Sequence, residues 1–209
     1  MNGVLATDLI EVTSDPDLLN DGGFWAVSTT FEGKYLLAKF ATVVRGASFP
    51  ETGEWNGLSE VWQSSMLQPE FEDYVNNIRE EIKLGNVYQV NACRILSTKI
   101  SKKISIAPLF SKILDKNPAP FASFLRLPDI EIASASPELF LTREGSYIKT
   151  SPIKGTRKLS ETGAAFSDKD RAENVMIVDL MRNDFGRICK AGSVKVSQLF
   201  RSELHPGLE

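Results

Sequence analysis

At 209 residues, with 42% hydrophobic and 24% charged side chains, the chain has the composition of a water-soluble globular protein and the length to bury a core. Its formal charge of −3, from 24 basic and 27 acidic groups with no basic stripe, argues against a nucleic-acid binder, and no window is apolar and long enough to span a bilayer. One histidine, His205, excludes a triad or zinc centre that relies on several histidines within this chain, and the two cysteines, Cys93 and Cys189, have no metal or redox spacing.

No basic-then-apolar leader opens the chain, so the expected compartment is the cytoplasm. The two thiols read as buried or packing residues. Residues 1–20 read as an edge element that leads into a turn at Asp21-Gly22-Gly23. Phe24 to Phe31 alternates as a strand, Glu32-Gly33 turns, and Lys34 to Val44 is its hairpin partner. Arg45 to Glu60, with Gly46, Pro50, Gly53 and Gly57, reads as a long connection. Pro69 then opens a helix whose apolar stripe is Phe71, Val75, Ile78 and Ile82, with Gly85 placed as its C-cap.

Val87 to Leu96 alternates as a strand, with Gln89, Asn91 and Cys93 on one face, either facing solvent or lining a polar pocket. Ala107 to Leu114 is a short helix stopped by Asn117 and Pro118. Two hairpins follow, Phe121–Leu127 with Ile130–Ala135 and Leu139–Thr142 with Tyr147–Thr150. Ser167 and Asp170 form a capping box that starts a helix ending near Phe185-Gly186, and Gly192 to Phe200 reads as strand. Hairpins followed by helices argue for an α+β class with mostly antiparallel sheet, and no linker or repeat divides residues 1–209. Neither glycine-rich phosphate-loop pattern occurs.

Three places carry chemistry. Lys154 sits between Pro152 and Gly155, where proline stiffens the approach and glycine allows a close or left-handed backbone. A partly desolvated lysine there would be a nucleophile, and a solvated one a simple cation. Glu138, after Pro137, suits proton delivery to a departing hydroxyl or a plain favourable charge at a turn. On the last helix Asp170, Glu173 and Asn174 share a face at i, i+3 and i+4. They suit Mg²⁺ or a solvated surface balanced by Lys169 and Arg171. Arg157, Arg182 and Arg187 are candidate forks for a carboxylate, or surface ion pairs.

Four ordered blocks resemble the signatures of chorismate-utilising enzymes: Gly85–Asn91, Ser134–Phe140, Pro152–Arg157, and Asp170–Asn174 with Val178–Asp184. The resemblance runs over about residues 20–207 and is greatest to the aminodeoxychorismate synthase component I branch. It implies an α+β fold of antiparallel sheets flanked by helices, the N-terminal and central part of a layered α/β/β/α chorismate-binding fold. It implies conversion of chorismate and ammonia to 4-amino-4-deoxychorismate, for p-aminobenzoate and folate synthesis. Lys154 would add to C2 as the C4 hydroxyl leaves, ammonia would enter at C4, and the lysine would be expelled. Glu138 corresponds to the general acid/base, and Glu173 to a glutamate of the Mg²⁺ site held against a substrate carboxylate. Gly155 and Thr156 correspond to the substrate-side loop. Related anthranilate synthases usually carry alanine where this chain has Lys154.

The implied partners are chorismate, ammonia and a separate glutamine amidotransferase subunit, with no nucleic acid and no membrane. Against the family pattern, the stretch from Thr156 to Asp170 is short by most of a helix. The family's C-terminal part, with a histidine block and a second metal-binding glutamate, would lie beyond Glu209, so residues 1–209 are expected to be a partial chorismate-binding domain. The alternatives are an anthranilate or isochorismate synthase-like enzyme, or a truncated non-catalytic fragment that pairs with an amidotransferase or with itself.

Overall fold

The computed structural model describes residues 3–51, 53–58, 61–100, 103–155 and 167–201. The residues gather into two compact units, Met1–Trp55 with Ile106–Glu209, and Asn56–Ser105.

The first unit begins with a three-stranded antiparallel sheet. β1 (Gly3–Thr13), β2 (Phe24–Thr29) and β3 (Tyr35–Ala47) lie in the order β1-β3-β2. The edge element expected at the N-terminus is therefore β1, followed by a 3-10 turn at Pro16–Asp21 that the Asp15 side chain caps. As the central strand, β3 carries the best-buried pair, Leu37 and Ala38. Phe24 opposes Phe40 and Ala26 opposes Ala38, so the alternation read from sequence falls into register. β3 runs to Ala47, three residues further than its apolar pattern indicates, because β1 supplies partners as far as Gly3.

α2 (Ala107–Lys116) packs on the hairpin of β6 (Phe121–Leu127) and β7 (Ile130–Ser136). Phe110 of this helix meets Phe49 edge-on at 4.9 Å and stacks with Phe124 at 5.5 Å, and Ala107, Ala119 and Leu127 of the same unit are also buried. A carboxylate and a guanidinium tie the same region together. Arg126 forks onto both oxygens of Glu51, at 2.6 and 3.0 Å, and also reaches Glu131. These carboxylates, Glu51 foremost, push the Arg126 pKa up. The other oxygen of Glu131 accepts the Ile106 N–H at 2.6 Å, serving the orphan donor at the start of α2. Glu131→Ala is expected to lower unfolding free energy by about 1–3 kcal/mol, because a part-buried N–H loses this acceptor and Arg126 one carboxylate. A urea titration reads this, and an unchanged midpoint would show that water takes over at no cost.

The second hairpin pairs β8 (Leu139–Glu144) with β9 (Tyr147–Ser151), and α3 (Asp168–Ile188) follows. The capping box on α3 forms as read from sequence: Ser167 Oγ accepts from Asp170 N–H at 3.1 Å, and Asp170 accepts from Ser167 N–H at 3.2 Å. The helix continues past Phe185-Gly186 to Ile188, since glycine in a helix costs only about 1 kcal/mol. Gly192–Phe200 forms no strand. Its alternation is real, but no neighbouring strand among the described residues pairs with it.

The second unit holds β4 (Gln63–Ser64), α1 (Gln68–Lys83) and β5 (Leu96–Ser97), with β4 and β5 antiparallel. α1 starts where Glu70 accepts the Leu67 N–H and ends with Gly85 at φ 77°, as its apolar stripe and glycine require. The strand expected over Val87–Leu96 shrinks to Leu96–Ser97. Gln89 and Asn91 bond to each other at 3.4 Å and are exposed, as is Cys93, so the solvent-facing alternative describes them better than a pocket. Among the described residues no helix is long and apolar enough to cross a membrane.

Candidate functional site

The β8–β9 hairpin decides where the chemistry can meet. Glu138 and Lys154 are sixteen residues apart in sequence, yet Leu139 opposes Ser151 in the ladder, so the residues just outside that pair come side by side. Glu138 reaches the main chain next to Lys154: Ile153 N–H donates to Glu138 Oε1 at 3.2 Å. Ser136 Oγ donates to the Glu138 carbonyl at 3.2 Å, and Thr150 Oγ1 to the Leu139 carbonyl at 3.3 Å. Glu138, Ile153, Lys154 and Gly155 are all half-buried. Gly155 has φ 74°, a conformation a side chain would strain, which is the backbone freedom expected of a glycine after Lys154.

Lys154 and Gly155 line a broad cleft of about 1680 Å³ within the first unit. Its other walls are β9, one side of α3 and the segment after that helix. On α3 the lining includes Asp170, Asn174, Val178, Met181 and Phe185, a helical spacing that the apolar run around Val178 masks in the sequence. The lining contains eight lysine or arginine side chains against one carboxylate, Asp170. Such an excess attracts an anionic ligand and concentrates it near Lys154.

Not every expected residue joins this cleft. Glu138 touches its wall through Ile153 but is not itself part of the lining. Glu173 lies beside the lining face of α3, half-buried, and its carboxylate faces exposed Lys169 at 3.7 Å. Arg182 lines the cleft but already holds Asp179 at 3.1 Å, whereas Arg187 lies outside it. Thr156, Arg157 and His205 lie outside the described residues. Both cysteines are free, and Cys93 is exposed rather than buried.

Two cleft residues have surroundings that the sequence reading did not supply. Arg171, taken from sequence as a balancing surface charge, stacks over the Phe200 ring at 4.6 Å in the cleft wall. Asn174 Oδ1 is buried with no hydrogen-bond partner among the described residues. Helical spacing from Asp170 was the signal for Asn174; nothing local in the sequence marked Phe200 as its neighbour's partner.

Among the described residues no three acidic, histidine or cysteine side chains gather as a metal cluster. Mg²⁺ does not need such a cage: it takes one or two protein carboxylates and fills its octahedron with water and ligand oxygens. Glu173 fits that role as a single ligand. Its ion pair among the described residues is a long one with an exposed lysine, a contact of little energy.

With this geometry in view, comparison with known proteins places the chain. The model of the chorismate binding enzyme family matches residues 25–208. The chain is 41% identical over 160 residues to aminodeoxychorismate synthase component 1 of Salmonella typhimurium and equally to that of Escherichia coli, covering 72% of this chain and 35% of each relative. It is 34% identical over 170 residues to anthranilate synthase component 1 of Aquifex aeolicus, covering 76% of this chain and 34% of that protein. The chain thus spans about a third of the length of these curated relatives. The match over residues 25–208 takes in both flanks of the cleft, and the chain belongs to the family of chorismate binding enzymes.

Proposed function

We propose that this chain carries the nucleophile-bearing part of an enzyme that aminates chorismate to 4-amino-4-deoxychorismate. Lys154 attacks C2, the allylic C4–O bond breaks, and Glu138 protonates the departing hydroxyl to water. Ammonia then bonds to C4, loses a proton, and the Lys154 amine leaves C2 with its electron pair. The observation that most supports this is the junction of the Glu138 carboxylate with the main chain beside Lys154, at the edge of a cleft rich in cations. A nucleophile, a proton donor and positive charge are what displacement of a hydroxyl on a dianion requires. The component 1 relatives support the product assignment.

Gly155 and Thr156 are proposed to border the substrate, Gly155 through its main chain at the left-handed turn after Lys154. Mg²⁺ would be held by Glu173 and would neutralise carboxylate charge on the ligand when bound. Glu173→Gln is accordingly expected to raise the Mg²⁺ concentration needed for half-maximal chorismate binding by about tenfold or more. Magnesium titrations at fixed chorismate measure it, and an unchanged midpoint would remove Glu173 from the metal. Ammonia is proposed to come from a separate glutamine amidotransferase, since the relatives' names imply a second component. Sedimentation would register that subunit, or a second copy of this chain. The proposed compartment is the cytoplasm, in keeping with two free thiols.

The deciding experiment is incubation with chorismate, Mg²⁺ and ammonium, with the products separated and identified by mass. The expected product is 4-amino-4-deoxychorismate, and intact mass should reveal a chorismate-derived adduct on Lys154. Anthranilate or isochorismate as product would overturn the assignment in favour of those branches of the family. Neither turnover nor adduct would favour a non-catalytic chain.

A further inference from the structure

The hydrogen bond from Ile153 N–H to Glu138 Oε1 has a structural cause in two prolines. Leu139 opposite Ser151 is the last pair of the β8–β9 ladder. Beyond it stand Pro137 on one side and Pro152 on the other, and neither has an N–H to continue the pairing. The carbonyls on the β8 side are served by hydroxyls, Ser136 on Glu138 and Thr150 on Leu139. Ile153 N–H, part-buried, is served by a carboxylate. Lys154 therefore lies between an amide anchored on one side and a left-handed glycine on the other, Gly155 at φ 74°.

We propose that Glu138 is a positioning residue for Lys154: one carboxylate oxygen fixes the main chain immediately before the lysine and so sets the direction from which its amine approaches the ligand. This rests on the reading of Lys154 as nucleophile and adds to Glu138 a task separate from proton transfer. One side chain then couples the two chemical groups, so that the acid cannot move without moving the lysine's backbone. The ladder ends at Leu139–Ser151, and beyond it the Ile153 N–H is held by this carboxylate rather than by a strand carbonyl.

The two tasks separate by substitution in the full chain. Glu138→Gln keeps the reach and the acceptor oxygen but cannot supply a proton. Glu138→Asp keeps the acid but is one methylene shorter. Hydrogen exchange at Ile153, without ligand, is expected to stay within about threefold of wild type in Glu138→Gln and to quicken about tenfold or more in Glu138→Asp and Glu138→Ala. In turnover, Glu138→Gln should lose kcat at nearly constant KM, because positioning survives and proton transfer does not. Glu138→Asp should lose kcat and also raise KM, as the lysine is no longer directed. Should Glu138→Ala fail to fold, the glutamine and aspartate variants decide between themselves. Equal Ile153 exchange in wild type and Glu138→Asp overturns the positioning role whatever the activities. A wild-type chain that forms no Lys154 adduct overturns the nucleophile reading instead, and that appears in the mass spectrum rather than in the exchange.

Discussion

Replacing Lys154 with alanine is expected to reduce formation of 4-amino-4-deoxychorismate by roughly 10³-fold or more and to abolish the covalent adduct with chorismate. The argument is chemical. Ammonia is to arrive at C4, and direct attack there must expel a hydroxyl in a single difficult step. Covalent addition at C2 shifts the double bond, releases that hydroxyl, and leaves an intermediate that ammonia can enter at C4. Alanine removes the first step and leaves seven of the eight cations that line the cleft, so chorismate should still bind while turnover collapses. Binding measured by calorimetry alongside product analysis separates these effects. Full aminating activity in Lys154→Ala would remove the nucleophile. Loss of binding together with activity would reduce Lys154 to one more cation in the cleft wall.

The largest expected effect on stability lies elsewhere. Phe110→Ala should destabilise the first unit by about 3–5 kcal/mol, the range for emptying a buried aromatic position. Phe110 is 3% exposed and touches both other rings of its cluster, Phe49 from the loop after β3 and Phe124 from β6. Alanine would leave these two rings, 5.3 Å apart, facing a void that rigid strands cannot close. Against the 5–15 kcal/mol typical of a whole domain, this is a large fraction. Chemical denaturation followed by circular dichroism should show a midpoint far below wild type. Phe110→Leu should recover much of it by filling most of the volume. A loss under about 1 kcal/mol in Phe110→Ala would mean that the cluster is not the packing centre of this unit.

The elements that were legible in the sequence are those whose causes are local. The hairpin at Pro128-Asp129 follows from alternation on either side of a two-residue turn, and it forms from Phe121 to Ser136. α3 begins at the residue its capping box names, because Ser167 and Asp170 need only each other. α1 also forms as its stripe requires, yet it contains no fully buried residue. Periodicity prescribes a face; burial needs something to cover it. The same distinction accounts for Val87–Ile95 and Gly192–Phe200, which alternate but are not strands. A strand exists through its neighbour's hydrogen bonds, and those neighbours lie outside any local window.

By itself the sequence determined the short-range elements, the α+β class and the four blocks that identify the family, since each depends on residues close along the chain. It also singled out Lys154 and Glu138, but only as separate residues with ordinary alternatives. Tertiary structure decided their relation: the β8–β9 ladder folds sixteen residues back on themselves until the carboxylate meets the amide before the lysine. It likewise decided that Asp170 and Asn174 line the cleft while Glu173 stands beside it, and that Arg171 finds Phe200. Hydrogen bonds and ring contacts act over a few ångströms of space, whatever the separation in sequence. Local patterns name the groups available, and only the folded path brings one within reach of another.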